Sequence, residues 1–158
     1  MVEGTAVANP SGQTVTARWR KFIGLSALDR RLLWRAWFAL AFVQVSLLLL
    51  PSRWLLRGRV VDNPAQNPES IEKLVWSIRS AARFIPGATC LTQAIALQHL
   101  IARSGRVSRI QVGVRKDETA RLRAHAWVEY EGRVVLGGSD TQQYFPLAAW
   151  ETRASIFQ

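Results

Sequence analysis

A single cysteine, Cys90, and two histidines, His99 and His125, are the groups in this chain that could supply a thiol nucleophile and an imidazole base. A thiolate attacks a carbonyl carbon, an imidazole moves the proton, and a third group holds the imidazole in the right orientation. Cys90 lies in PGATCLTQAIALQHL, where a Pro-Gly turn runs into a helical pattern. A helix N-terminus favours the thiolate through its dipole and its free N–H groups. A lone cysteine is also a common small apolar core residue, so both roles are open at this stage.

His99 follows Cys90 by nine residues on the same predicted helix. At about 1.5 Å per residue that is about 13.5 Å, beyond the reach of the thiol. His125 opens the strand pattern AHAWVEY and is the base the spacing selects. Asp140, after the hairpin's second strand, is the preferred orienting acid; Glu129 shares the face of His125, and Asp117 lies in a polar loop. The backbone N–H of Cys90 is the expected oxyanion donor, with the Gln93 side chain as an alternative.

These residues need elements to position them. Residues 1–18 are small, polar and without period, and read as a loose arm. Ser26 and Asp29 form a capping pattern for a helix running through LDRRLLWRAWFALAFVQVSLLLL to a stop at Pro51. The uncharged run from Ala36 to Ser52 stands at the lower limit for crossing a bilayer, so it reads as a helix in the core or against a partner. Residues 59–67 read as a linker. Asn67 and Pro68 then predict the start of a second helix, with Ile71, Leu74, Val75, Ile78 and Ala82 on one face. A third helix runs from near Thr89 to about Arg103, stopped at Gly105. Ile110, Val112 and Val114 alternate as a strand. Ala124 to Tyr130 and Val134 to Leu136, joined at Glu131-Gly132, make a hairpin.

Helices followed by a small antiparallel sheet predict an α+β fold. The expected organisation is an arm over 1–18, a helical region over 19–66 and a core domain over 67–158. With 21 Lys and Arg against 11 Asp and Glu, the net charge is +10. Only three of the cations are lysine, they are spread along the chain, and no nucleic-acid motif accompanies them. An acidic peptide or protein partner fits as well as a polyanion, and nucleic acid is not the expected partner. One cysteine makes no internal disulfide and no export signal stands out, so the expected location is the cytoplasm.

The runs CLTQAIALQHLIARSGRVSRIQVGVRK and AHAWVEYEGRVVLGG, with the Asp140 region and YFPL, resemble the leader peptidases of lasso-peptide biosynthesis. Those enzymes belong to the transglutaminase-like, papain-like cysteine protease superfamily. LDRRLLWRAWFALAFVQVSLLLLPSRWLL also resembles the N-terminal region of that family, so the likeness covers roughly residues 25–150. It implies a stand-alone protease of a split system that removes the leader from a precursor peptide. A separate leader-recognition protein would deliver the precursor, and an ATP-dependent lasso cyclase would consume the product. The resemblance places the nucleophile on Cys90, the base on His125 and, by superfamily order, the acid on Asp140. It implies no metal or cofactor. The alternatives are acyl transfer on the same fold and a non-enzymatic basic interaction module.

Overall fold

The computed structural model describes residues 26–49, 60–61, 69–138 and 140–154, with residues 60, 61, 140, 153 and 154 given by their backbone alone. The expected arm over 1–18, the stop at Pro51 and the Asn67-Pro68 helix start lie outside the described residues. The chain divides into two units, Met1–Arg31 and Leu32–Gln158.

Helix α1, Ala27–Leu49, opens with the expected cap: Ser26 Oγ accepts the Asp29 N–H at 3.1 Å and donates to its carboxylate at 2.7 Å. From Leu32 onward the helix is apolar on two sides. Leu32, Ala36, Leu40 and Val43 are buried in the core, whereas Trp34, Phe38, Phe42, Val45 and Leu49, spaced to share one stripe, are exposed. Trp34, Trp37 and Phe38 form a ring cluster with centroids 5.2–6.1 Å apart. By length and composition the helix could cross a bilayer, but one side of it belongs to the core.

Helix α2 spans Ile71–Ala82 and is capped by Ser70, whose Oγ accepts the Lys73 N–H. This start falls three residues after the sequence expectation, because Ser70 takes the capping role that Asn67 was expected to fill. Ala81 rather than Ala82 completes the buried stripe. Arg35 of α1 fastens this start: its guanidinium donates to Glu69 at 2.7 Å, and Arg106 donates to the Glu69 carbonyl at 2.8 Å. Helix α3, Cys90–Arg103, packs against α2 and ends in a Schellman motif, in which Gly105 donates to Ala102 and Arg106 to Ile101.

The sheet contains β2 (Arg109–Lys116), β3 (Leu122–Tyr130), β4 (Arg133–Leu136) and β5 (Phe145–Glu151), all antiparallel, in the order β4-β3-β2-β5. The β3–β4 hairpin turns through Glu131 and Gly132, both at positive φ, the geometry that suits strand twist. A short 3₁₀ turn, Asp140–Gln143, leads into β5. The sequence pattern did not reveal β5. It also treated Val60–Val61 as linker, whereas these two residues form β1, paired parallel with β6 (Arg153–Ala154). Ile110, Ala126, Val128 and Leu136 from the sheet meet Leu40, Leu74, Ile78, Leu97 and Ile101 from the helices in one core. The α+β architecture is therefore as expected.

Candidate active site

Thr89 sets the position of Cys90. Its backbone is extended, its Oγ1 accepts the Thr92 N–H at 3.2 Å, and its carbonyl accepts from Gln93, so the helix begins at Cys90. Cys90 is half-buried and packs against the core. As the first helical residue it stands beside N–H groups, its own and that of Leu91, that have no partner within the helix. Gln93 turns its amide back to the Ala88 carbonyl at 3.4 Å, which bends it toward the preceding loop.

His125 comes from β3, where it pairs with Gly113 of β2. Its neighbours in alternation, Ala126 and Val128, enter the core that α3 covers, so His125, Trp127 and Glu129 lie on the other side of the sheet. There the His125 ring stacks with Trp127 at 6.3 Å and packs on Tyr144 at 5.3 Å. Its Nε2 lies 2.7 Å from the Gly137 carbonyl oxygen. A carbonyl can only accept, so Nε2 carries the hydrogen and the lone pair of the neutral ring is on Nδ1. No hydrogen bond joins the Cys90 thiol to the His125 ring.

The candidate acids separate clearly. Asp140 begins the turn between β4 and β5, three residues beyond Gly137, and its side chain lies outside the described residues. Glu129 is committed elsewhere: both its oxygens accept from Gln111 Nε2 at 2.8 Å, and Oε1 also accepts from Trp127 Nε1 at 3.0 Å. Asp117 staples its own loop, accepting from the Thr119 hydroxyl and from the Thr119 and Arg121 N–H groups. The Thr119 hydroxyl, then the Arg121 N–H, hold its carboxyl down to about 2, with Arg123 contributing. His99 stays on α3, which is unbroken from Cys90 to Arg103, so the separation from the thiol persists. Among the described residues no group of His, Cys, Asp and Glu is arranged to hold a metal ion.

Two participants were not visible in the sequence. Tyr144, at the end of the 3₁₀ turn, forms one wall around His125, and Arg115 lies over its ring at 5.1 Å while donating to Gln143. The Gly137 carbonyl is the other. Gly137 has φ +117°, and a Cβ there would stand 2.3 Å from the Trp127 Cβ, so only glycine brings this carbonyl to the imidazole.

No curated protein and no solved structure matches this chain. A family model, that of the transglutaminase-like superfamily, matches residues 32–149. The matched region runs from the buried side of α1 to β5 and contains Cys90, His125 and the turn at Asp140. It covers well over half of the 158 residues, and the chain belongs to the transglutaminase-like superfamily.

Proposed function

We propose that the protein is a cysteine peptidase that removes the leader from a lasso-peptide precursor. The observation that carries the reading is the placement of Cys90 as the first residue of α3 within a transglutaminase-like domain. The AHAWVEY strand and its resemblance to the leader peptidases add the base and the substrate class.

In the proposed reaction the Cys90 thiolate attacks the scissile carbonyl, and the negative charge moves to the carbonyl oxygen beside the helix N–H groups. The His125 imidazolium gives its proton to the departing amine as the carbon–nitrogen bond breaks. Water then attacks the thioester, His125 takes its proton, and the Cys90 thiolate leaves as the carbon–sulfur bond breaks, restoring the starting thiolate–imidazolium pair. With Nε2–H bonded to the Gly137 carbonyl, Nδ1 is the nitrogen that exchanges this proton. The transfer requires Cys90 and His125 to meet; the structure joins them by no hydrogen bond, so the reading requires the imidazole to approach the thiol when substrate binds. Asp140 is assigned to stabilising the imidazolium. A leader-recognition protein delivers the precursor, and the freed core amine passes to the cyclase. The step needs no metal or cofactor.

The test incubates wild type, Cys90→Ala and His125→Ala with a precursor and its leader-recognition partner, and reads product masses. Leader and core masses from the wild type alone support the reading. A mass showing the acyl group on an added amine identifies acyl transfer instead. Equal cutting by Cys90→Ala removes Cys90 from the mechanism.

A further inference from the structure

Glu72, Trp76, Arg79 and Arg83 follow one another at spacings of four, three and four residues, so they share one face of α2 and its C-cap. All four are exposed. With Val75 and with Val135 of β4 they line an open groove between the helix and the edge strand of the sheet. Its volume of about 520 Å³ admits several side chains rather than one. Arg79 and Arg83 make no hydrogen bond or ion pair among the described residues. Like charges four residues apart on a helix repel each other, and the helix dipole explains one cation near the end of α2 but not an indole and an apolar floor beside a pair.

The spacing of the arginines selects a ligand. Along the helix axis Arg79 and Arg83 are about 6 Å apart, and alternate residues of an extended polypeptide are about 6.6 Å apart and point to the same side. Two acids separated by one residue therefore meet both guanidinium groups at once. The groove also changes sign along its length, because Glu72 stands about 10 Å before Arg79 on the same face. A polypeptide can answer that carboxylate with a cation or an amide, whereas a nucleic acid meets it with another negative phosphate. The arginine end lies toward the candidate nucleophile: Arg83 precedes Cys90 by seven residues, and backbone bonds from Phe84 to Ala81, Ile85 to Ala82 and Ala88 to Ile85 keep that connection tightly turned. Since α2 packs on α3, Arg83 and Cys90 stand at the same end of the helix pair.

We propose that this groove is an exosite for an acidic, extended segment of the polypeptide substrate, carrying two acids separated by one residue; the inference rests on the peptidase reading for the identity of that polypeptide. The two carboxylates accept from Arg79 and Arg83, a geometry in which arginine forms paired hydrogen bonds. An apolar residue next on the same side of the segment rests on Val75 and Val135, and the chain continues toward Cys90. Contacts this far from the thiol are made equally before and during the chemical step, so they act on KM and leave kcat alone.

The experiment uses the full chain and a fluorescein-labelled peptide with two glutamates separated by one residue, its binding read by polarisation. Wild type is compared with the double variant Arg79→Glu, Arg83→Glu and with Arg103→Glu, Arg109→Glu, which changes the net charge equally at two exposed arginines outside the groove. The expected result is binding about tenfold weaker in the groove variant and within about twofold of wild type in the control. A peptide with two lysines at the same spacing should recover affinity for the groove variant, and adjacent glutamates, which point to opposite sides, should lose it for wild type. If the charge reversal does not fold, Arg79→Gln with Arg83→Gln takes its place, with a loss of about fivefold. Cleavage of a precursor carrying the spaced glutamates should show KM raised by a similar factor and kcat within about twofold. Equal losses in groove and control variants, or adjacent glutamates binding as tightly as spaced ones, overturn the proposal, as does a single-stranded oligonucleotide that binds the groove more tightly than the peptide. Wild-type protein that binds the spaced peptide but leaves the precursor intact overturns the peptidase reading instead, and the peptide contrasts still decide the groove.

Discussion

His125 Nε2 and the Gly137 carbonyl oxygen are 2.7 Å apart, so a backbone group, held by the fit of Gly137 against Trp127, sets the tautomer of the candidate base. Gly137→Ala would place a methyl group into Trp127 at a positive φ that alanine resists. The expected loss is at least about 2 kcal/mol of stability from strain and overpacking together. Nitrogen NMR of labelled His125 should show the Nε2–H tautomer in the wild type and a mixture in any Gly137 variant that folds. Wild-type spectra with the hydrogen on Nδ1 would contradict the assignment.

Glu129 offers a test of which acid belongs to the site. Its carboxylate holds Gln111 and Trp127, and Glu129→Gln keeps one oxygen for those bonds. A stability loss of about 1 kcal/mol is expected from the weakened hydrogen bonds. Precursor cleavage by Glu129→Gln should stay within about threefold of wild type, whereas a charge that stabilises the imidazolium would be missed by far more. A loss of a hundredfold would move the acid from Asp140 to Glu129.

The Asp117 loop makes a pH prediction. Hydrogen bonds from Thr119 and Arg121 lower its folded pKa to about 2, below the ordinary value of 3.8. Folding therefore favours the ionised form. Its stabilisation is present in full above about pH 4 and is lost as the pH falls through about 2. A carbon-detected NMR titration of Asp117 should show its midpoint near 2, and Asp117→Asn should remove that midpoint, its stability deficit against wild type shrinking as the pH falls through about 2. A midpoint near 4 would contradict the hydrogen-bonded loop.

Leu97 provides a control for these experiments. It is fully buried between the helices and the sheet, and Leu97→Ala should cost about 2–5 kcal/mol. Its activity per folded molecule should match wild type, measured well below the melting temperature. A disproportionate activity loss would show that the position of α3 itself is sensitive to core packing.

The parts of this fold that were legible in the sequence are those written locally. Ser26 and Asp29 announced α1, Thr89 and Gly105 bracketed α3, and Glu131-Gly132 marked the hairpin, because a cap or turn is specified by a few adjacent residues. The start of α2 was misplaced because Asn67 and Ser70 are both good caps and only the packed helix selects between them. Strand β5 was missed: its Phe145 and Leu147 are exposed, Pro146 lies within it, and its register with β2 shifts between Val112 and Gly113. The two-residue β1 and β6 exist only through pairing of Val60 with Arg153 and Val61 with Ala154, far apart in the chain. The candidate site divides the same way. The place of Cys90 on α3 was readable from its neighbours, whereas the Gly137 carbonyl acquires meaning only through a contact 12 residues distant.

Among the described residues, the three helices precede the four strands that complete the core. During synthesis from the N-terminus, Leu40, Leu74, Ile78 and Leu97 emerge before Ala126, Val128 and Leu136, their partners from β3 and β4. The nascent chain thus carries an uncovered greasy seam until the hairpin has left the ribosome, and the exposed side of α1 adds a second one. Yield in cells should accordingly respond to chaperone supply and growth temperature before it responds to the stability of the finished fold.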